Sequence, residues 1–97
     1  MVIQEFISIV EFLEQNNTVE NGRIIIDRET FKQLLGKYDY MTFHKKTKIY
    51  KDLNFIIHDK NNYTMPYKDK ELKKTVRKVI INYNAYLTIK KLNDTVI

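Results

Sequence analysis

The 97-residue chain has no cysteine, which excludes disulfides, thiol chemistry and cysteine-bound zinc. It has only two glycines, Gly22 and Gly36, so no glycine-rich loop is available to cradle a phosphate. Its two histidines, His44 and His58, are too few and too irregularly spaced for a recognisable metal site. No carboxylate pair and no Ser/His/Asp order stands out. The seven tyrosines come without the His-x-His or arginine set of a tyrosine strand-transferase. Together these absences predict a non-enzyme with no metal and no cofactor. No apolar run approaches the ~18 residues of a membrane span. The first residues carry Glu5, Glu11 and Glu14 and no early basic group, unlike a signal peptide. A cytoplasmic protein with no membrane partner is expected.

What is present is a globular composition, 43% hydrophobic and 30% charged, sufficient for one domain over residues 1–97. The net charge of +5 is unevenly spread. Residues 1–36 hold three basic against six acidic groups, a net of −3, and residues 37–97 hold fourteen against six, a net of +8. A basic half beside an acidic half points to a polyanion contacted on one side. A solvated lysine-rich surface drawn from an AT-rich genome is the competing explanation.

Taken in order, Ile3, Phe6, Ile7, Val10 and Leu13 make a helical stripe over residues 2–14, widened by Val2, Ile9 and Phe12. Asn16 and Asn17 end it, Asn21-Gly22 is a turn signal, and Arg23 to Ile26 is a short β-branched strand. Asp27 suits the N-cap of a helix over 28–35, packed through Phe31, Leu34 and Leu35, with Gly36 as its left-handed C′ residue. Lys37 to Met41 form a turn, and Asp39 or Thr42 caps the next helix. In that helix Phe43, Ile49, Tyr50 and Leu53 share an apolar arc. His44, Lys45, Lys48, Lys51 and Asp52 lie opposite. Lys46 falls inside the apolar arc and is expected to reach outward to solvent. Asn54 suits a left-handed residue after the helix.

Phe55 to Ile57 and Tyr63 to Tyr67 are expected to pair as a hairpin turning at Asp59 to Asn62, with Pro66 near its end or outer edge. From Asp69, a second N-cap, Leu72, Val76, Val79, Ile80, Tyr83 and Leu87 suggest a long helix reaching Leu92. Residues 79–89 also alternate as a strand would, but Ile80 and Tyr86 break that pattern and helix is preferred. The surplus apolar residues Ile81, Tyr86 and Ile89 suit contact with a second subunit. The chain thus divides into a core over 1–67 and a C-terminal helix over 68–97 that serves as a dimerisation element.

Three basic groups carry the functional expectation. Lys45, Lys48 and Lys51 with His44 and the cap Thr42 can meet phosphates or base edges in a major groove. That face has no Arg, Asn or Gln, the side chains that make bidentate contacts to bases. Lys60, Asn61 and Asn62 at the expected hairpin tip can follow the backbone or enter a minor groove. Lys70, Lys73, Lys74, Arg77 and Lys78 form a second cluster, with Lys70 and Lys74 foremost, and cations at a helix start oppose the macrodipole. Each group also has a plain reading as a solubilising surface, or as ordinary turn chemistry for the asparagines.

With these elements placed, residues 1–67 resemble the winged helix-turn-helix DNA-binding families. Lys48-Ile49-Tyr50-Lys51-Asp52-Leu53-Asn54-Phe55-Ile56 is similar to their hydrophobic–x–x–x–Leu–Gly–hydrophobic–Ile passage, with Asn54 where glycine is usual. The fold so implied is α+β, helix–strand–helix–helix–β-hairpin with an additional long C-terminal helix. Size, composition and that last helix further resemble the TcpK-type accessory proteins of clostridial conjugative plasmids. The resemblance implies a homodimer that binds double-stranded DNA sequence-specifically, as an origin-of-transfer accessory working with a relaxase, or as a transcriptional regulator. The lysine-only face of the third helix would leave more of the reading to the wing. Two rivals remain: a protein-interaction module that inhibits a nucleic-acid enzyme, and an RNA binder stacking bases on Tyr63 and Tyr67.

Overall fold

The computed structural model describes the chain from Val2 to Val96. Its elements are α1 (Val2–Asn16), β1 (Arg23–Ile26), α2 (Arg28–Gly36), α3 (Phe43–Asp52), β2 (Ile56–Ile57), β3 (Met65–Asp69), β4 (Lys74–Asn82) and α4 (Tyr83–Val96). This is an α+β fold with four helices and a small antiparallel sheet.

β4 is the strand the sheet is built on. It pairs with β1 and β2 through its second half and with β3 through its first half. Thr75, Val76, Val79, Ile80 and Ile81 make it rich in β-branched residues, which lose less freedom in a strand than in a helix. Val79 and Ile81 face the core beside their partners Ile26, Ile24 and Ile56. The helical stripe expected from Asp69 through residue 82 is therefore a strand, and the alternation set aside in its favour holds as far as Asn82.

The sequence misleads here because Asp69 performs capping chemistry without a helix. Its Oδ1 accepts from the backbone N–H of Glu71 at 2.9 Å and of Leu72 at 3.0 Å, turning the chain from β3 into β4. The hairpin accordingly joins β3 to β4 and does not pair 55–57 with 63–67. The expected turn at Asp59–Asn62 exists, closed by Asn62 N–H to Asp59 O at 3.4 Å, but it sits in a loop between β2 and β3.

The last helix starts at Tyr83, where Asn82 Oδ1 accepts from Ala85 N–H at 3.2 Å. It packs back on α1, and Tyr83 donates to Glu14 Oε2 at 2.7 Å. Ile81 and Tyr86, expected at a subunit contact, lie in the chain's own core. A core over 1–67 with a separate helix after it does not describe this fold, since β4 supplies the sheet's centre.

The earlier elements follow the sequence closely. Asn21 and Gly22 both take positive φ in a two-residue turn closed by mutual hydrogen bonds between Glu20 and Arg23. A side chain at Gly22 would also strike Asn84, 2.5 Å from the nearest atom. Asp27 stands at the N-cap of α2, but its carboxylate pairs with Lys78 instead of capping. Gly36 is not a left-handed C′ residue: the helical turn runs on to Lys37 and Tyr38, so positive φ is not needed. Thr42, not Asp39, caps α3, accepting from Lys45 N–H at 3.2 Å. α3 ends in a Schellman motif with Asn54 at φ +57°, Asn54 N–H to Lys51 O and Phe55 N–H to Tyr50 O.

The core is aromatic. Phe6 stacks on Phe55 with centroids 4.0 Å apart, and Tyr50 and Phe31 meet them or each other edge-on. Leu53, placed in the apolar arc of α3, is instead 48% exposed.

Inside this core lies an ion pair. Lys46 points inward and is 1% exposed, against the expectation that it would reach solvent. Its ammonium donates to Glu5 Oε2 at 2.8 Å, to Leu35 O at 2.7 Å and to Tyr38 O. Tyr50 donates to the other Glu5 oxygen at 2.7 Å. A hydrophilic residue is retained in an apolar stripe because three partners from three other segments satisfy its three N–H donors. The ammonium also lies 4.4 Å from the Tyr40 ring centroid.

Burial, then the Glu5 charge, pushes the Tyr40 hydroxyl up to about 12. Burial and its hydrogen bond to Glu5 raise Tyr50 as well. Both groups fold as neutral phenols with raised pKa, so their contribution is complete below the unfolded value near 10 and falls as pH rises above it, that of Tyr40 being lost as pH passes about 12. Thermal melts between pH 9 and 12, a span chosen around the phenol's usual value of about 10, should therefore show stability falling from pH ~10 upward. Tyr40→Phe should flatten that fall, and an unchanged profile would remove Tyr40 from this account.

Candidate nucleic-acid interface

The exposed side of α3 faces the loop between β2 and β3 across an open groove of ≈ 400 Å³. His44, Lys48 and Lys51 line its helix side, and His58 and Lys60 its loop side. A second concavity continues from His44 and Lys51 to Asn61 and Asn62. Residues from two stretches of sequence thus converge. Asp52 also borders the groove and offsets part of its positive charge. Among the described residues no ion pair involves Lys48, Lys51 or Lys60.

Sequence reasoning placed the loop at a hairpin tip, whereas tertiary contacts hold it beside α3. Arg77 of β4 is the main tie. Its Nε donates to Thr64 Oγ1 at 2.7 Å, one Nη to Thr64 O at 2.8 Å, and the same nitrogen pairs with Asp59. Tyr63 packs on Phe43 and Phe31, with centroids 5.5 and 6.0 Å apart. The ring proposed for base stacking is therefore an anchor for the loop. His58 donates from Nδ1 to Asp59 O at 2.7 Å, in the tautomer that protonates that nitrogen.

Arg77 was grouped with the anion-seeking cations of the second cluster, but its guanidinium is spent on this clamp. Lys78 is likewise paired with Asp27. Lys70, Lys73 and Lys74 remain exposed, at the β3–β4 turn and not at a helix start, so no helix macrodipole bears on them. Thr42 is occupied as a cap and borders a different concavity, between α2 and α3. Lys45 is exposed at the first turn of α3 but does not line the groove.

From sequence, His58 is weighed only as a metal ligand, and Arg77 is taken for an anion contact and not for a clamp. No local pattern marks a clamp thirteen residues from its partner Thr64. Arg77→Ala should destabilise the protein by about 1–2 kcal/mol, through three lost charge-assisted hydrogen bonds and a stranded, buried Thr64. Hydrogen exchange should quicken across residues 58–64 before it quickens in α3. Equal quickening in both would show that Arg77 does not act on the loop in particular.

Among the described residues, no three His, Asp or Glu gather in a way that could hold a metal. No described helix is long and apolar enough to cross a membrane. No protein-family model matches the chain, and no curated protein matches it significantly.

Proposed function

We propose that this protein binds double-stranded DNA, with α3 entering the major groove in the manner of a winged helix-turn-helix. The observation that carries the reading is convergence. Lys48 and Lys51 of one helix meet Lys60 of a separate loop across one open groove, and His44 and Lys51 link it to an adjoining concavity lined by Asn61 and Asn62. A merely solubilising surface has no reason to hold that loop in place with a buried threonine and an arginine clamp. In this arrangement α2 and α3 form the helix-turn-helix, and the β3–β4 hairpin is the wing.

Lysines of the groove neutralise phosphates, and Asn61 and Asn62 supply the hydrogen bonding able to distinguish bases. Lys45 extends the basic face at the start of α3, and Thr42 fixes that start by capping it. The sequence-level likeness to plasmid transfer accessories makes an origin of transfer one natural target and a promoter another. A second copy of the chain fits the same reading, with Leu87 and Leu92 of α4 exposed for contact.

Purified protein should be titrated against a library of duplex fragments from its own replicon at two salt concentrations. Retention of one fragment at the higher salt is the expected result. Weak, uniform binding abolished by salt would reduce the groove to a charged surface. It would also bring forward the protein-interaction alternative.

A further inference from the structure

We infer that the β3–β4 turn is a wedge, which inserts Leu72 between base steps of a DNA minor groove and bends the duplex. The inference rests on the DNA-binding reading but concerns a different part of the molecule. Leu72 is 59% exposed at the apex of the hairpin. Glu71 directly precedes it, Lys70 stands before that, and Lys73 and Lys74 follow, all exposed, so the turn keeps a net positive charge.

The local conformation departs from ordinary turn chemistry. Four described residues have positive φ, and three of them, Asn21, Gly22 and Asn54, are types that take it readily. The fourth is Lys73, at φ +54°. Asparagine or glycine would relieve that strain, and a polar residue would relieve the exposure of Leu72. Both departures fall on adjacent residues of one turn, where function is the usual reason for retaining strain. Asp69 meanwhile fixes the turn through Glu71 N–H and Leu72 N–H, so the leucine is held in place before any partner arrives.

Charge and reach select the occupant. An apolar side chain in a turn where three lysines outweigh one glutamate matches a base step lying between two phosphate backbones, and leucine is one of the wedge residues that kink DNA from the minor groove. Met65 follows directly on Thr64, which Arg77 ties into the loop beside α3. Four residue steps along β3 carry the turn about 13 Å farther. Half a turn of B-DNA, the step from one groove to the next, is about 17 Å. With α3 in the major groove, the turn arrives at the neighbouring minor groove.

The test uses an A·T-rich duplex of about 30 base pairs carrying a donor and an acceptor dye at its ends. Saturating wild-type protein should shorten the end-to-end distance, corresponding to a bend of at least about 20°. Leu72→Ala should bind about tenfold more weakly and leave the duplex straight at saturation. Leu72→Phe, which keeps an apolar wedge, should retain the bend. Wild-type protein that binds without bending, or a bend that survives Leu72→Ala, overturns the wedge while leaving DNA binding intact. Failure to bind any duplex removes both readings. Leucine-dependent binding to vesicles of equal phosphatidylserine and phosphatidylcholine, without DNA bending, would reassign the turn to an anionic membrane surface and overturn the wedge.

Discussion

Lys46→Ala is expected to destabilise the protein by about 3–5 kcal/mol, a large share of the ~5–15 kcal/mol that holds a domain of this kind together. The substitution removes a cation from a site where the Glu5 carboxylate is only 2% exposed. It also strips a donor from Leu35 O, which otherwise accepts only from Tyr38 N–H at 3.2 Å, and from Tyr38 O in the turn after α2. The lost partner, not the strength of the pair itself, sets the size of the effect. Replacing both charges by apolar groups should accordingly recover most of the loss. Lys46→Met with Glu5→Leu and Tyr50→Phe leaves no stranded donor or carboxylate, since Tyr50 otherwise loses its acceptor. Denaturant unfolding of the single and triple variants measures this directly. A Lys46→Ala protein within about 1 kcal/mol of wild type would contradict the buried pair.

The same pair bears on function through geometry. Lys46 belongs to α3, Glu5 to α1, and the two carbonyls to the end of α2 and the turn after it. The ammonium therefore fixes the angle at which the basic face of α3 is presented. In a helix-turn-helix that angle governs docking into a groove.

The second large effect is on binding. Lys48→Ala, Lys51→Ala and Lys60→Ala combined should weaken affinity for duplex DNA about a hundredfold near physiological salt. They should also lower the slope of log K against log salt by about 2.7, if each lysine displaces one counterion. Lys48 and Lys60 are exposed and Lys51 half-buried, so the melting temperature should change little. An unchanged salt slope would mean that the groove does not meet phosphates. A smaller change shared equally by Lys70→Ala and Lys74→Ala would shift the main contact to the hairpin. Loss of affinity together with unfolding would be visible in the melt and would not count for either site.

The local elements were legible because their chemistry is local. The stripe of α1, the Asn21-Gly22 turn, the β1 strand and the left-handed Asn54 each depend on residues a few positions apart, while the cap of α3 stayed open between Asp39 and Thr42. The exposed lysines of α3 were found by periodicity alone. Their grouping with Lys60, Asn61 and Asn62 could be guessed but not located, since it depends on Arg77 and Tyr63 holding the loop from elsewhere.

By itself the sequence determined the first four elements, the basic polarity of the second half and the lysine face of α3, because short-range sterics and periodicity act within one or two turns. Only the tertiary structure decided residues 69–82. Val76, Val79 and Ile80 satisfy a helical spacing and a strand equally well, and β1, β2 and β3 supply the backbone partners that make the strand win. It also decided the direction of Lys46, since a lysine stays inside only where a carboxylate and backbone carbonyls from other segments meet it. A sequence pattern records which side chains avoid water, but not which distant groups will satisfy those that cannot.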